Sequence, residues 1–207
     1  MSEALPPGLY ILGFGGHARS VADIALAMGI RQLIFIDENA RPSEEFAGHP
    51  VAKQLPAKPE AGWLAFPALG DNVRRRAFCD EQTLTLAILV APDASIGVGS
   101  TIGEGTLVAR HAHVGPAARI GRGAIINTGA IVDHETQIGD FTHVSINAAV
   151  AGRCRIGANV MIGAGATVID GISIADGVTI GAGATAVADI LQPGTYIGTP
   201  ARPIAQR

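Results

Sequence analysis

Residues 94–183 read, six at a time, ASIGVG STIGEG TLVARH AHVGPA ARIGRG AIINTG AIVDHE TQIGDF THVSIN AAVAGR CRIGAN VMIGAG ATVIDG ISIADG VTIGAG. The third place of every hexad is Ile or Val, and the series runs without a break from Val90 through Ile96, Ile102, Val108, Val114, Ile120, Ile126, Val132, Ile138, Val144, Val150, Ile156, Ile162, Val168 and Ile174 to Ile180. A small residue stands two places earlier in most hexads, as at Ala94, Ser100, Thr106, Ala112 and Ala130, and glycine often follows, as at Gly97, Gly103 and Gly121. This period fits neither the alternation of a lone strand nor the 3.6-residue turn of a helix, and it is the signature of a parallel β-helix. Each hexad supplies one short strand and one corner, and three hexads close a triangular coil. The branched side chain points inward and stacks on its equivalents above and below. About five coils spaced about 4.8 Å apart make a prism roughly 25 Å tall. Its interior is filled, so chemistry is left to corners and outer faces.

The composition agrees. The 207 residues include 27 glycines and only 4% aromatics at 48% hydrophobic content, which suits a narrow repeat core. A net charge of −3 leaves no basic stripe for nucleic acid and no polybasic membrane signal. No apolar run is long enough to span a bilayer, and Met1–Gly8 has no basic region followed by an apolar core. Two cysteines without a CxxC spacing fit a reducing cytoplasm.

The first 82 residues read differently. Leu9–Leu12 is a strand, Gly13-Phe14-Gly15-Gly16-His17 a glycine turn, and Val21, Ile24, Ala25 and Met28 mark a helix that stops at Gly29. A second strand, Leu33–Ile36, ends at Asp37-Glu38. This is a Rossmann-like βαβ unit in residues 1–82, ahead of a β-helix in residues 83–207. Glycines let a backbone approach a ligand, and the helix N-terminus favours an anion such as phosphate. The turn lacks the third glycine of the dinucleotide fingerprint, so tight strand–helix packing accounts for it equally well. The unit is also only half of a dinucleotide fold, which favours a mononucleotide or nucleotide sugar over a redox cofactor. Gly70 and Asn72, in a strand-end turn, and Arg75, in the basic run Arg74–Arg76, are expected to join this site, with Arg75 meeting a phosphate and Arg74 and Arg76 on a solvated helix face.

Of the six histidines, His134 falls at a corner with Glu135 beside it, while His143 precedes the inward Val144 and therefore lies on an outward face half a coil away. A histidine at an edge, oriented by Glu135, Asp133 or a neighbouring chain, has the near-neutral pKa a general base needs. Cys154 sits at a small inward position and reads as an inert thiol.

The stretch Asn127–Glu135, followed by Ile138–Ser145, resembles the sugar O-acyltransferase family of hexapeptide-repeat proteins. That family includes sialic acid O-acetyltransferases and nucleotide-4-aminosugar N-acetyltransferases, as in bacillosamine and perosamine pathways. The likeness extends to the glycine turn, to Phe35-Ile36-Asp37-Glu38 and to the closing Gly198-Thr199-Pro200-Ala201. The resemblance implies a left-handed β-helix, a homotrimer, and acetyl-CoA bound in the groove between subunits. It further implies that His134 is the base and Glu135 its polarising acid, that His143 helps form the acyl-CoA pocket, and that Gly152 offers its N–H to the thioester carbonyl. Ala164 and Gly181 would line the pantetheine channel, and Gly13, Gly15, Gly16, His17, Asp37 and Glu38 would bind a nucleotide-linked amino sugar. Family members often carry two aspartates where this chain has Asp37-Glu38, which leaves the base open. The expected reaction is acetylation of a 4-amino group for surface glycan biosynthesis, with no metal and no acyl-enzyme. The alternatives are O-acetylation of a sialic acid or related sugar, a non-catalytic trimeric scaffold, and a zinc-dependent hydratase, for which the histidine spacing is wrong.

Overall fold

The computed structural model describes residues 5–81 and 83–204. The reading of Met1–Gly8 and the expected boundary at residue 82 therefore fall partly outside the described residues. In the N-terminal half, β1 (Gly8–Leu12), α1 (Gly16–Met28), β2 (Gln32–Ile36), β3 (Glu45–Phe46), β4 (His49–Ala52), β5 (Leu64–Pro67) and α2 (Asn72–Asp80) follow one another. The sheet order is β3-β4-β2-β1-β5, parallel except for the β3–β4 hairpin. β1 is buried along its whole length because it lies between two strands with α1 on one face. α1 turns Val21, Ala22, Ile24 and Ala25 inward and stops at Gly29, whose φ of 106° is a left-handed cap that favours glycine.

From Leu89 onward the chain winds as a parallel β-helix of two-residue strands, forming sheets of six, five and eight strands, the last closed by Thr195–Ile197 and an antiparallel Arg202–Pro203. Paired residues are 18 positions apart, as Ile125 and His143 are, so three hexads make one coil, until the last coil, where Ile174 pairs with Ile190 and Thr179 with Thr195, 16 positions on. The faces are called here first (Leu89–Val90, Leu107–Val108, Ile125–Ile126, His143–Val144 and their successors), second (Ser95–Ile96 through Thr185–Ala186) and third (Thr101–Ile102 through Ser173–Ile174). The Ile and Val column is buried from Val108 to Ile180. In the first coil Val90 and Ile102 are half-buried and Ile96 is 40% exposed, because no coil lies beneath them. Three small positions hold threonine instead of alanine, and each hydroxyl bridges two coils. Thr142 Oγ1, for example, donates to Gly157 O at 2.7 Å and accepts from Val160 N at 3.0 Å, leaving no buried polar atom unmatched there.

The two halves are joined along the first face. Its outward positions begin Leu89, Leu107, Ile125, and these apolar side chains share one buried cluster with Val21, Ile24 and Ala25 of α1. Beside them, Arg75 is fully buried. Its guanidinium donates across the joint to Gly123 O at 2.7 Å and Phe141 O at 2.9 Å, and within its own half to Leu69 O, Gly70 O and Asn72 Oδ1. Asn72 Nδ2 adds a bond to Val160 O at 3.0 Å.

This corrects the expectation that Arg75 meets a phosphate and that Asn72 joins it in the nucleotide site, and Gly70 gives its carbonyl to the same buried guanidinium. α2 starts at Asn72, capped by the Asp71 side chain on Arg74 N, and that register turns Asn72, Arg75 and Cys79 inward. Burial lowers the Arg75 pKa to about 10, so it stays charged at neutral pH and is held by carbonyl dipoles. Replacing Arg75 by Ala leaves several buried carbonyls without a donor. We expect the variant to lose about 3–5 kcal/mol by denaturant titration, and Arg75→Lys, which cannot reach both sides of the joint, to recover only part of it.

Candidate active site

His134 stands on the corner between the second and third faces. Its own N–H donates to Asp133 Oδ1 at 2.7 Å, and its carbonyl accepts from Arg153 N in the next coil at 2.9 Å, which fixes the backbone on both sides. Glu135 follows in the left-handed region at φ 57°, and this sharp turn brings its carboxylate back to the ring, with Nδ1 3.1 Å from Oε2. A carboxylate accepts only, so Nδ1 carries the proton and Nε2 is left with its lone pair facing outward.

The ring lies over Gly152, one coil on. A Cβ at that glycine would fall 2.5 Å from His134 Nε2 and 2.6 Å from Cε1, so any side chain there would displace the ring. The Gly152 N–H has no hydrogen-bond acceptor among the described residues. Nε2 and an amide without a protein acceptor therefore belong to one corner. Arg153 pairs with Asp170 at 2.7 Å just beyond them. Cys154 is fully buried, its Sγ 3.1 Å from Ile169 O, and burial raises its thiol pKa, as the inert reading expects.

His143 occupies an outward position of the first face, as its spacing indicates, but that face is not open. The N-terminal half covers it, leaving it 8% exposed. Asn127 Oδ1 accepts from Thr128 N, which turns Nδ2 toward His143 Nε2 at 3.0 Å. His143 Nδ1 lies near the Gly70 carbonyl without a well-formed bond, and His17 Nε2 is likewise buried without a partner among the described residues. Burial first, and then the Arg75 charge, lowers both histidines to about 4, and His17 depresses His143 further. Both are neutral near pH 7.

A cavity of about 530 Å³ opens at the C-terminal ends of β1 and β2. Gly13, Asp37 and Glu38 line it, and so do Asn39, Lys53 and Arg74, which sequence reasoning missed or assigned to solvent. The N-cap Asp71 was the available signal. Counting the helix from there separates the inward Arg75 from Arg74, which faces the cavity. Asp37 staples the turn, accepting from Phe14 N at 3.1 Å and Asn39 N at 3.0 Å. Gly15 and Gly16 are exposed with nothing within 4 Å of where a Cβ would sit, so packing does not explain them. Ala164 and Gly181 stand on the corner between the first and second faces, with Gly181 packed beneath Ile197. The cavity and His134 thus lie on different sides of one protomer. Among the described residues no three His, Cys, Asp or Glu side chains are grouped to hold a metal ion.

The N-terminal half matches the PglD N-terminal domain over residues 8–81, and the coils match the bacterial transferase hexapeptide family (six repeats) over residues 135–170 and 153–186. The acetyltransferase domain of PglB from Neisseria gonorrhoeae FA1090 superimposes with a TM-score of 0.88 at 32% identity, over 96% of this chain and 100% of that one. The chain belongs to the hexapeptide-repeat sugar N-acetyltransferases that carry a PglD-type N-terminal domain. The PglB domain is also known in complex with acetyl coenzyme A. PerB from Caulobacter crescentus, in complex with CoA and GDP-perosamine, superimposes with a TM-score of 0.83 at 29% identity, over 96% of this chain and 97% of that one. WeeI from Acinetobacter baumannii AYE shares the fold, with a TM-score of 0.85 at 22% identity over 95% of this chain and 99% of that one. Comparison with curated proteins gives no match.

In this N-acetyltransferase the buried histidine pair has a consequence for acid stability. Their folded pKa values lie below the unfolded value of 6.5, so the unfolded chain binds more protons between about 6.5 and 4. Stability is full above 6.5 and falls as pH drops through that window. Melting temperatures from pH 7.5 to 4.5 should fall more steeply for the wild type than for the His17→Asn, His143→Gln double variant.

Proposed function

We propose that this chain transfers the acetyl group of acetyl-CoA to the 4-amino group of a nucleotide-linked amino sugar, for surface glycan biosynthesis. The observation that carries this reading is the corner on which His134 Nε2 lies over Gly152, whose N–H meets no acceptor among the described residues, with Nδ1 held by Glu135. His134 Nε2 takes a proton as the amine attacks the thioester carbonyl. The carbonyl oxygen gains the electron pair and is stabilised by Gly152 N–H, and the intermediate then collapses. The CoA thiolate leaves with the proton returned by His134, and an acetamide remains. The cavity at the ends of β1 and β2 suits the nucleotide, with Asp37, Glu38, Lys53 and Arg74 around it.

Base and cavity reach one substrate when a second copy is present. Exposed Ile131 on the second face and Val98, Ile146, Ile169 and Val187 along its two edges form an apolar surface around that face. We assign it to the contact of a homotrimer, in which one protomer's His134 corner faces the next protomer's Asn127 corner. Acetyl-CoA then lies in that groove, with Gly152 on one wall and Ala164 and Gly181 on the other. His143 serves by holding Asn127 at the edge of this groove. Buried, unpaired cysteines suit a cytoplasmic enzyme.

Turnover of acetyl-CoA should be measured with UDP-, GDP- and dTDP-linked 4-amino sugars beside free sialic acid. We expect one nucleotide amino sugar to be acetylated, with kcat falling about 10²–10⁴-fold in His134→Ala. Gly152→Ala, which pushes the ring aside, should fall at least about 10²-fold while keeping the wild-type melting temperature to within a few degrees. Turnover of sialic acid alone, or activity indifferent to His134, would overturn the proposal.

A further inference from the structure

The coils carry five arginines, and three are paired. Arg110 bonds Asp23 and lies near Asp93, Arg122 bonds Asp80 and Glu104, and Arg153 bonds Asp170. Arg119 and Arg155 are exposed and meet no carboxylate within ion-pair distance among the described residues. They are not scattered. Arg119 pairs in register with Gln137 and Gln137 with Arg155, so the three stand on successive coils of the third face, the arginines about 10 Å apart at the backbone with an amide between them. Together with Ala117, Glu135 and Arg153 they enclose a cavity of about 420 Å³. Glu135 is the one carboxylate in that wall, and it faces His134 Nδ1. The hollow therefore presents two unpaired guanidiniums and one amide to whatever enters it, with the Asp170-paired Arg153 and the Glu135 carboxylate at its edge, immediately beside the base.

The distance from the base identifies the anion. Glu135 lines the hollow and its carboxylate lies 3.1 Å from His134 Nδ1, and Gln137 follows His134 by only three residues, at most about 10 Å of chain, so the hollow adjoins the base. In acetyl-CoA the pantetheine arm separates the thioester from the nearest phosphate by about 17 Å when extended, at roughly 1.2 Å per bond, so a thioester at Gly152 carries its phosphates past this hollow. In a sugar nucleotide the ring puts only about 6 Å between a 4-amino nitrogen and the first phosphorus. An amine at Nε2 thus brings a diphosphate to the mouth of the arginine hollow.

We infer that Arg119 and Arg155, with Gln137 between them, form a subsite for the diphosphate of the sugar nucleotide on the protomer that supplies His134, while the neighbouring copy's α/β cavity holds the nucleoside. This rests on the N-acetyltransferase reading. The subsite lets the catalytic protomer grip a substrate whose base is bound elsewhere, with guanidinium–phosphate bonds matching the planar fork of arginine. It also makes the diphosphate part of recognition, so an amino sugar lacking it is a poor acceptor.

The test is the KM of each substrate in the intact oligomer for wild type and the Arg119→Gln, Arg155→Gln double variant, whose exposed positions leave the melting temperature in place. The expected result is at least a tenfold rise in KM for the nucleotide amino sugar with the KM for acetyl-CoA unmoved. Inorganic pyrophosphate should compete with the sugar nucleotide in the wild type and at least tenfold more weakly in the variant. An unmoved sugar-nucleotide KM overturns the inference. So does a rise in the acetyl-CoA KM that disappears with 3′-dephospho-CoA, which would assign the hollow to the cofactor. If the wild type turned over no nucleotide amino sugar, the proposed function would fail by itself. Calorimetric titration of pyrophosphate into both proteins would then decide the subsite, with equal binding counting against it.

Discussion

Every feature of this molecule depends on the register of one coil upon the next. Residue i pairs with residue i + 18 along all three faces, and the ladder runs without a shift from Leu89 until the last coil, where the pairing shortens to 16 residues. One inserted residue would move every later Ile and Val from the interior to the surface, so the period is held rigidly. The core this builds is a solid column with no room for a ligand. Chemistry is confined to the corners, where side chains 18 apart become neighbours. His134, Gly152 and Asp170 are one such stack, and nothing in their local sequence context joins them.

The second constraint is the joint between the halves. A β-helix face is ordinarily polar outside, and this one departs from that at Leu89, Leu107 and Ile125, which exist to be covered. Beside the apolar contact sits a polar one of a different kind, a buried guanidinium surrounded by carbonyls, with two neutral histidines close by. Apolar burial supplies the affinity between the halves and the directed bonds of Arg75 supply the orientation. That orientation carries the nucleotide cavity to a set height along the prism.

The β-helix was legible because a strict period leaves little to context: any reader of Val90 to Ile180 reaches the same coil. The βαβ turn was legible for similar reasons, since glycine marks and a capped helix are local signals. The roles of Arg74 and Arg75 were not. They differ by one residue in helix register, and the register depended on Asp71 as N-cap, which hydrophobic periodicity does not reveal in a short, highly charged helix. His143 was placed on the correct side of its strand, but its burial depends on a covering domain more than 60 residues away in sequence. The apolar triplet beneath it was the visible sign that this face is not solvent. Arg119 and Arg155 looked like ordinary outward residues, and only the pairing of their neighbours singled them out.

The bare Cα at Gly152 links two positions in a way that bears on how such a protein varies. The volume a side chain would need there is already filled by the His134 ring. A chain that acquires any larger residue at 152 loses the seat of its imidazole, and a chain that has already lost the imidazole is free to accept one. The two sites therefore form an epistatic pair. Among relatives of this fold, a side chain at position 152 and an imidazole seated at position 134 are not expected in the same chain.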